Sequence, residues 1–167
     1  MAEEEKSFLE AFDEKKQAST LKTLTVLTFI GSGLGLIGAV YTFFTAKTSY
    51  EAVDKLMNGG DLDKVPSFLR GMYTPEFLEM ARKSYENRIP ICLLSIIAMA
   101  LCIFGAIQMR KLKADGYWLW LIGELLPLFA TLFFLGTAAF NGIFAWIGVL
   151  IPLIFVALYT AQRKHLS

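Results

Sequence analysis

The chain has 167 residues, a formal net charge of +1 and a mean hydropathy of +0.51, and 55% of its residues are hydrophobic. Because the charges nearly cancel, the chain lacks the basic footprint of a nucleic-acid-binding protein, and we expect no nucleic-acid partner. The hydrophobic share exceeds the roughly 45–50% of soluble domains and is concentrated in long runs. This pattern indicates an integral membrane protein whose surroundings are the lipid bilayer.

The predicted architecture follows from four long apolar runs, since a helix needs about 20 residues to cross the hydrocarbon core. The predicted spans are residues 23–46, 89–109, 117–140 and 143–161. We expect residues 22–167 to form one membrane domain, preceded by a cytoplasmic juxtamembrane segment at 1–21. The predicted fold class is an all-α membrane protein: an antiparallel four-transmembrane-helix bundle, with a partly helical outer loop at 47–88 between helices 1 and 2.

Helix signals also occur outside the spans. Segment 1–21 opens with acids, so we expect no cleavable signal peptide, and a capping box at Ser7 predicts a short helix from about Phe8. That helix would rest on the headgroups or dock a cytoplasmic partner. In the outer loop, a second short helix is predicted to end at Asn58-Gly59-Gly60, and Thr74-Pro75-Glu76 predicts the start of another.

Small residues recur at helical spacing in the first two spans. In lipid, close approach of small residues favours helix association, whereas apolar area does not. We therefore predict helix-packing seams, with a glycine-rich substrate groove as the alternative in the first span. The residues assigned to packing are Gly31, Gly35 and Ala39 in the first span and Ala98, Cys102 and Gly105 in the second.

The distribution of basic residues predicts the topology. Lysines and arginines flank the start of the first span, the link between spans two and three, and the end of the chain, which fall on one side of a four-span protein. The opposite link, Asn141-Gly142, carries no charge. The positive-inside rule then predicts that both termini are cytoplasmic, with the protein in the cell (inner) membrane.

Glu124 is the one carboxylate well inside a predicted span, ~10 Å from its start. An ionisable group at that depth is expensive and is a functional hypothesis by default. It is either neutral and hydrogen-bonded to a neighbouring helix, or it faces a wet cavity and binds a proton or cation. Contact with a partner protein or lipid is a third possibility. The predicted polar site combines Glu124 with Thr28, Ser32, Tyr159 and Gln108.

The sequence contains few side chains that could catalyse a reaction or bind a metal ion. The two cysteines, Cys92 and Cys102, lie ten positions apart, or ~15 Å along a helix, which is too far for a disulfide. The single histidine, His165, is in the tail. We find no nucleophile–base pair, and we therefore expect no metal site, no cofactor and no enzymatic activity.

Two local patterns resemble a known group of proteins. The run Phe29-Ile30-Gly31-Ser32-Gly33-Leu34-Gly35 with Gly123-Glu124-Leu125-Leu126-Pro127 is similar to small, uncharacterised four-pass membrane proteins of bacteria. This resemblance carries no function or site. The functional hypothesis is therefore a non-enzymatic subunit, either self-associating or accessory to a membrane complex. The alternative is a small transporter or channel that handles protons or cations through Glu124.

Overall fold

The structure is a computed structural model that describes residues 2–140 and 143–163. Its described part is helical, with no strand, and the predicted all-α fold class is confirmed. The helices are α1 (Ala2–Asn58), α2 (Ser67–Arg70), α3 (Pro75–Glu86), α4 (Arg88–Arg110), α5 (Asp115–Leu135) and α6 (Ile143–Gln162), with short 3₁₀ turns at Asp61–Lys64 and Thr137–Phe140. Four of them, namely α1, α4, α5 and α6, are long and apolar enough to cross a membrane.

Helix α1 differs from the prediction of three separate helical pieces. It is one helix of 57 residues, ~86 Å long, which is far longer than the ~30 Å needed to cross a hydrocarbon core. The predicted start near Phe8 and the break after the first span are wrong. Nothing interrupts the backbone hydrogen bonds, because the first proline of the chain is Pro66 and an ion pair between Lys47 and Glu51 spans the expected break. The predicted stop at Asn58 is correct.

The third apolar helix is shorter than its predicted span. Helix α5 ends at Leu135 because Gly136 takes a φ of 79° and a ψ of −171°, a conformation that is accessible essentially to glycine alone. The 3₁₀ turn Thr137–Phe140 then continues the chain where a regular helix was predicted. The predicted link at Asn141-Gly142 lies outside the described residues.

Helices α4 and α5 form a close hairpin, which is the most extensive helix contact in the structure. Glycines permit this approach. A Cβ atom placed on Gly105 would lie 2.5 Å from the backbone nitrogen of Trp120, and one on Gly123 would lie 2.7 Å from the carbonyl oxygen of Ala98. The backbones of the two helices are therefore in direct contact.

Helix α6 packs against the rest of the bundle much less. Only 6% of the most apolar stretch of 18 residues in α6 is buried inside the structure. The corresponding share is 22% in α1 and in α4. Its attachment is near its end, where Tyr159 is fully buried and Tyr117 hydrogen-bonds Thr160 at 2.8 Å. The buried core lies at this same end, and its members are Leu21, Leu24, Cys102, Met109, Tyr117, Trp120 and Tyr159.

The segment 59–87 that follows α1 packs as a cap on the last turns of that helix. Helix α3 contacts α1, and the rings of Tyr50 and Tyr85 stack with centroids 6.0 Å apart. The predicted start of α3 is confirmed, because the Thr74 hydroxyl accepts a hydrogen bond from the backbone N–H of Phe77 at 3.3 Å. The loop is thus a packed extension of the bundle.

Candidate functional site

A small cavity surrounds Glu124 in the middle of the four apolar helices. Its volume is about 170 Å³, and it is partly open. Helix α1 lines one side with four residues, two of which carry hydroxyl groups. Helices α4 and α5 supply the back, and α6 supplies apolar side chains. The lining residues are Leu27, Thr28, Gly31, Ser32, Met99, Cys102, Glu124, Ile151 and Phe155.

The Glu124 carboxyl group has few partners in this cavity. The thiol of Cys102 donates to its Oε2 atom at 3.7 Å and also approaches the carbonyl oxygen of Trp120 at 3.8 Å. A thiol is a weak donor. Throughout the described residues no basic side chain forms an ion pair with Glu124. The described residues therefore give the carboxyl group only one weak hydrogen-bond donor. An ionisable side chain deep in a membrane span costs about 2.5–3.5 kcal/mol, and this single contact compensates poorly for that cost.

Large buried side chains pack next to the cavity, on the side that we predict to face the cytoplasm. The hydroxyls of Thr28 and Tyr159 are 2.8 Å apart and hydrogen-bonded. The Tyr159 ring packs on Trp120 with centroids 4.2 Å apart, and both residues are fully buried. Within the described chain, Trp120 Nε1 is a buried polar atom without a hydrogen-bond partner. Because Trp120 lies four residues before Glu124, this buried cluster fills the bundle one helical turn below the carboxyl group, and we call it the seal.

Above the cavity, one side of α1 is left uncovered by the chain. Gly31 and Gly38 are seven residues apart, so they lie on the same side of the helix. A Cβ atom at either position would meet no atom within 4 Å. We call these two positions the open α1 face. Because Gly31 also lines the cavity, the open α1 face adjoins the Glu124 carboxyl group.

The structure brings together four of the five residues predicted for the polar site. Glu124, Thr28 and Ser32 line the same cavity, and Tyr159 reaches it through its bond with Thr28. Ser32 is buried, and its hydroxyl makes no hydrogen bond among the described residues. Gln108 is elsewhere: it packs against Gly116, which precedes Glu124 by ~12 Å along α5.

The residues assigned to helix packing have different surroundings. Ala98, Cys102 and Gly105 lie in the seam between α4 and α5. A Cβ atom on Gly35 would lie 2.7 Å from Met99 Sδ, so α1 and α4 meet there, and Ala39 lines a separate cavity between the same helices. Gly31 contacts no neighbouring helix through its Cβ position.

Sequence reasoning missed Cys102 as the neighbour of Glu124 and Trp120 as the seal beneath it. Cys102 is placed by its small size in the packing seam, and its thiol then points towards α5. A signal for Trp120 existed in its spacing, because it lies four residues before Glu124 and therefore on the same side of α5. Helix–helix register, which the sequence does not reveal, decides both contacts.

The described residues contain no group of three or more histidine, cysteine or acidic side chains that could hold a metal ion. The arrangement can instead donate or accept hydrogen bonds through the Glu124 carboxyl and the Ser32 hydroxyl. No family model, curated protein or solved structure matches the chain.

Proposed function

We propose that the chain is a four-pass inner-membrane protein with both termini in the cytoplasm. The four apolar helices support four crossings. Arg110 ends α4, and Lys111 and Lys113 follow it in the link to α5. They lie at the same end of the bundle as Lys22 and Arg163, and the positive-inside rule assigns this end to the cytoplasm. Protection of terminal tags from an externally added protease in sealed cells tests this topology. Cleavage of either tag would refute it.

Our proposed role is a non-enzymatic subunit that takes up another transmembrane helix, from a second copy or from a different membrane protein. The observation that carries this proposal is the open α1 face beside the poorly compensated Glu124 carboxyl. Small residues allow a second helix to approach closely, and hydrogen bonding across helices is the other main source of association in lipid. Both occur at this one position.

The loose attachment of α6 supports the same role. Many of its large apolar side chains are about half exposed, for example Trp146 at 59% and Ile151 at 51%. Lipid tails can cover such side chains, but they offer no hydrogen-bond donor to Glu124. An incoming helix with a hydroxyl, amide or basic side chain would supply one. The α1–α6 side of the bundle is therefore where we place the partner helix.

Two substitutions in α1 test the proposal with a matched control. Gly31→Leu adds a side chain to the open α1 face at a position where its Cβ atom would meet no atom of the chain within 4 Å. Gly33→Leu is the control, because Gly33 also has no atom within 4 Å but lies ~200° around the helix. The tagged variants are isolated from their native membrane in mild detergent, and the intact complexes are weighed by mass spectrometry.

We expect a stoichiometric complex for the native chain and for Gly33→Leu, and its loss for Gly31→Leu. The mass identifies the partner as a second copy or a different protein. A lone native monomer, or a complex that survives Gly31→Leu, would refute the proposal. Glu124→Gln keeps a hydrogen-bonding side chain and should retain the complex, whereas Glu124→Leu should weaken it.

The second candidate function is proton or cation handling by Glu124. The cavity shared with Thr28 and Ser32 favours it, because hydroxyls and a carboxylate are suitable ligands for a hydrated cation. The seal formed by Trp120 and Tyr159 would have to open for passage. Solute flux in liposomes that contain only this protein would support the candidate. Flux unchanged by Glu124→Gln would rule out the proton-coupled form.

A further inference from the structure

A second cavity, separate from the Glu124 site, lies between the outer halves of α1 and α4. Its volume is about 230 Å³, which corresponds to roughly eight water molecules at ~30 Å³ each. Arg88, Ser84 and Thr42 line it at the outer end, and Ala39, Ile91 and Met99 line it deeper in the bundle. Arg88 is the first residue of α4, next to the apolar run that enters the membrane.

The Arg88 side chain has no acidic partner among the described residues. The ion pairs of the cap involve Lys47, Arg70, Arg82 and Lys83 instead. The Arg88 guanidinium rests on aromatic rings, 4.6 Å from the centroid of Tyr85 and 6.0 Å from that of Phe43. Stacking on a ring face holds a guanidinium in place and leaves its N–H groups able to donate to an anion.

Two hydroxyl groups beside this cation are also available. Neither Thr42 nor Ser84 makes a side-chain hydrogen bond within the described residues. Deeper in the cavity, the Ser95 hydroxyl donates to the carbonyl oxygen of Ile91 at 2.8 Å and is therefore occupied. Hydrogen-bond donors thus concentrate at the outer end of the cavity, around the positive charge.

The cavity changes from polar to apolar along the membrane normal. From Arg88 to Met99 is ~16 Å along α4, from the level of the lipid headgroups into the hydrocarbon. The close approach of Gly35 and Met99 narrows the lower end. A ligand that fits this profile has an anionic group above and an apolar chain below. A free anion would leave the lower part, at Ala39 and Ile91, empty.

We propose that this cavity binds a membrane phospholipid, with its phosphate on Arg88 and the upper part of one acyl chain between α1 and α4. A planar guanidinium matches phosphate oxygens in a bidentate manner, which an ammonium group does not. Thr42 and Ser84 donate the additional hydrogen bonds. The site lies at the opposite end of the bundle from the seal beneath Glu124 and does not depend on the function proposed above.

The test is a titration of the detergent-purified full chain with phosphatidylglycerol, with bound lipid counted by native mass spectrometry. Diacylglycerol, which lacks the phosphate, and inorganic phosphate, which lacks the chains, are titrated in parallel. Arg88→Gln removes the cation. Arg110→Gln is the matched control, because Arg110 is the last residue of the same helix at its other end. Ala39→Leu fills the deeper part of the cavity and keeps the charge.

We expect phosphatidylglycerol to bind the native chain and the Arg110→Gln variant equally. Arg88→Gln should weaken binding about tenfold or more, which is the value of one charge-assisted hydrogen bond. Ala39→Leu should also weaken phosphatidylglycerol binding. If Arg88→Gln fails to fold, the proposal is tested by Ala39→Leu. Unchanged binding in both variants, equal binding of diacylglycerol, or an equal loss in Arg110→Gln would overturn the proposal. Displacement of the lipid by equimolar inorganic phosphate would identify a free-anion site instead.

Discussion

Gly105 offers a direct test of how α4 and α5 hold together. In Gly105→Ala, the new methyl group would lie 2.5 Å from the backbone nitrogen of Trp120 and 2.6 Å from the carbonyl oxygen of Gly116. Backbone atoms cannot rotate away as a flexible side chain can. To restore an ordinary contact of 3.4 Å, the two helices must separate by about 0.9 Å, since 3.4 minus 2.5 is 0.9.

The expected cost follows from comparison with Gly33, where a Cβ atom would meet nothing within 4 Å. Both substitutions replace glycine by alanine inside a helix, so any gain in helix propensity, about 1 kcal/mol, is common to both and cancels. The difference between them is the overpacking strain in the α4–α5 seam. Overpacking of this kind costs about 1–3 kcal/mol, so Gly105→Ala should be less stable than Gly33→Ala by that amount.

Reversible unfolding in mixed micelles with rising SDS fraction measures this difference. Tryptophan fluorescence is the signal, because Trp120 is fully buried beside the seam. The Gly116→Ala variant should behave like Gly105→Ala, since its methyl group would lie 2.7 Å from the Gly105 carbonyl oxygen. If the midpoint of Gly105→Ala equalled or exceeded that of Gly33→Ala, the seam would not depend on backbone contact and the reasoning would be wrong.

Two further predictions concern hydrogen bonds at opposite ends of the bundle. In a double-mutant cycle of Thr28→Val and Tyr159→Phe, SDS unfolding should give a coupling energy of about 0.6–1.7 kcal/mol, because the two hydroxyls are 2.8 Å apart in the core; a coupling near zero would contradict that bond. In α3, hydrogen bonds from its own backbone N–H and from the Thr74 hydroxyl lower the pKa of Glu76 from its ordinary value of 4.5. Their stabilising effect is thus complete above that value and is lost as the pH falls through the lowered pKa, so amide protection of α3 should decline there. The decline should be smaller in Glu76→Gln, and identical pH profiles in the two chains would refute this assignment.

Local patterns were sufficient for most of the helices. Apolar runs identify the helices that are long and apolar enough to cross a membrane, because that property depends on the hydropathy of each segment by itself. The start of α3 at Thr74-Pro75 and the end of α1 at Asn58 follow from residues at the boundary itself. The continuous α1 was missed although its signal was present, since no proline occurs before Pro66. A capping-box pattern is also compatible with a helix interior, and it was given too much weight.

The candidate site also has some features that the sequence predicts and others that only the tertiary structure shows. The position of Glu124 inside an apolar run shows that its carboxyl group lies within a predicted span. The helical spacing of the small residues in the first two spans predicts their role in helix packing. The sequence by itself thus determined the helical class, the four segments apolar enough to cross a membrane and the unusual acid, because each depends on neighbours along the chain. The tertiary structure alone decided that Cys102 meets Glu124, that Trp120 and Tyr159 pack on each other below it, and that Gly31 remains uncovered. Those contacts depend on the rotation and register of one helix against another, which many packed side chains set together.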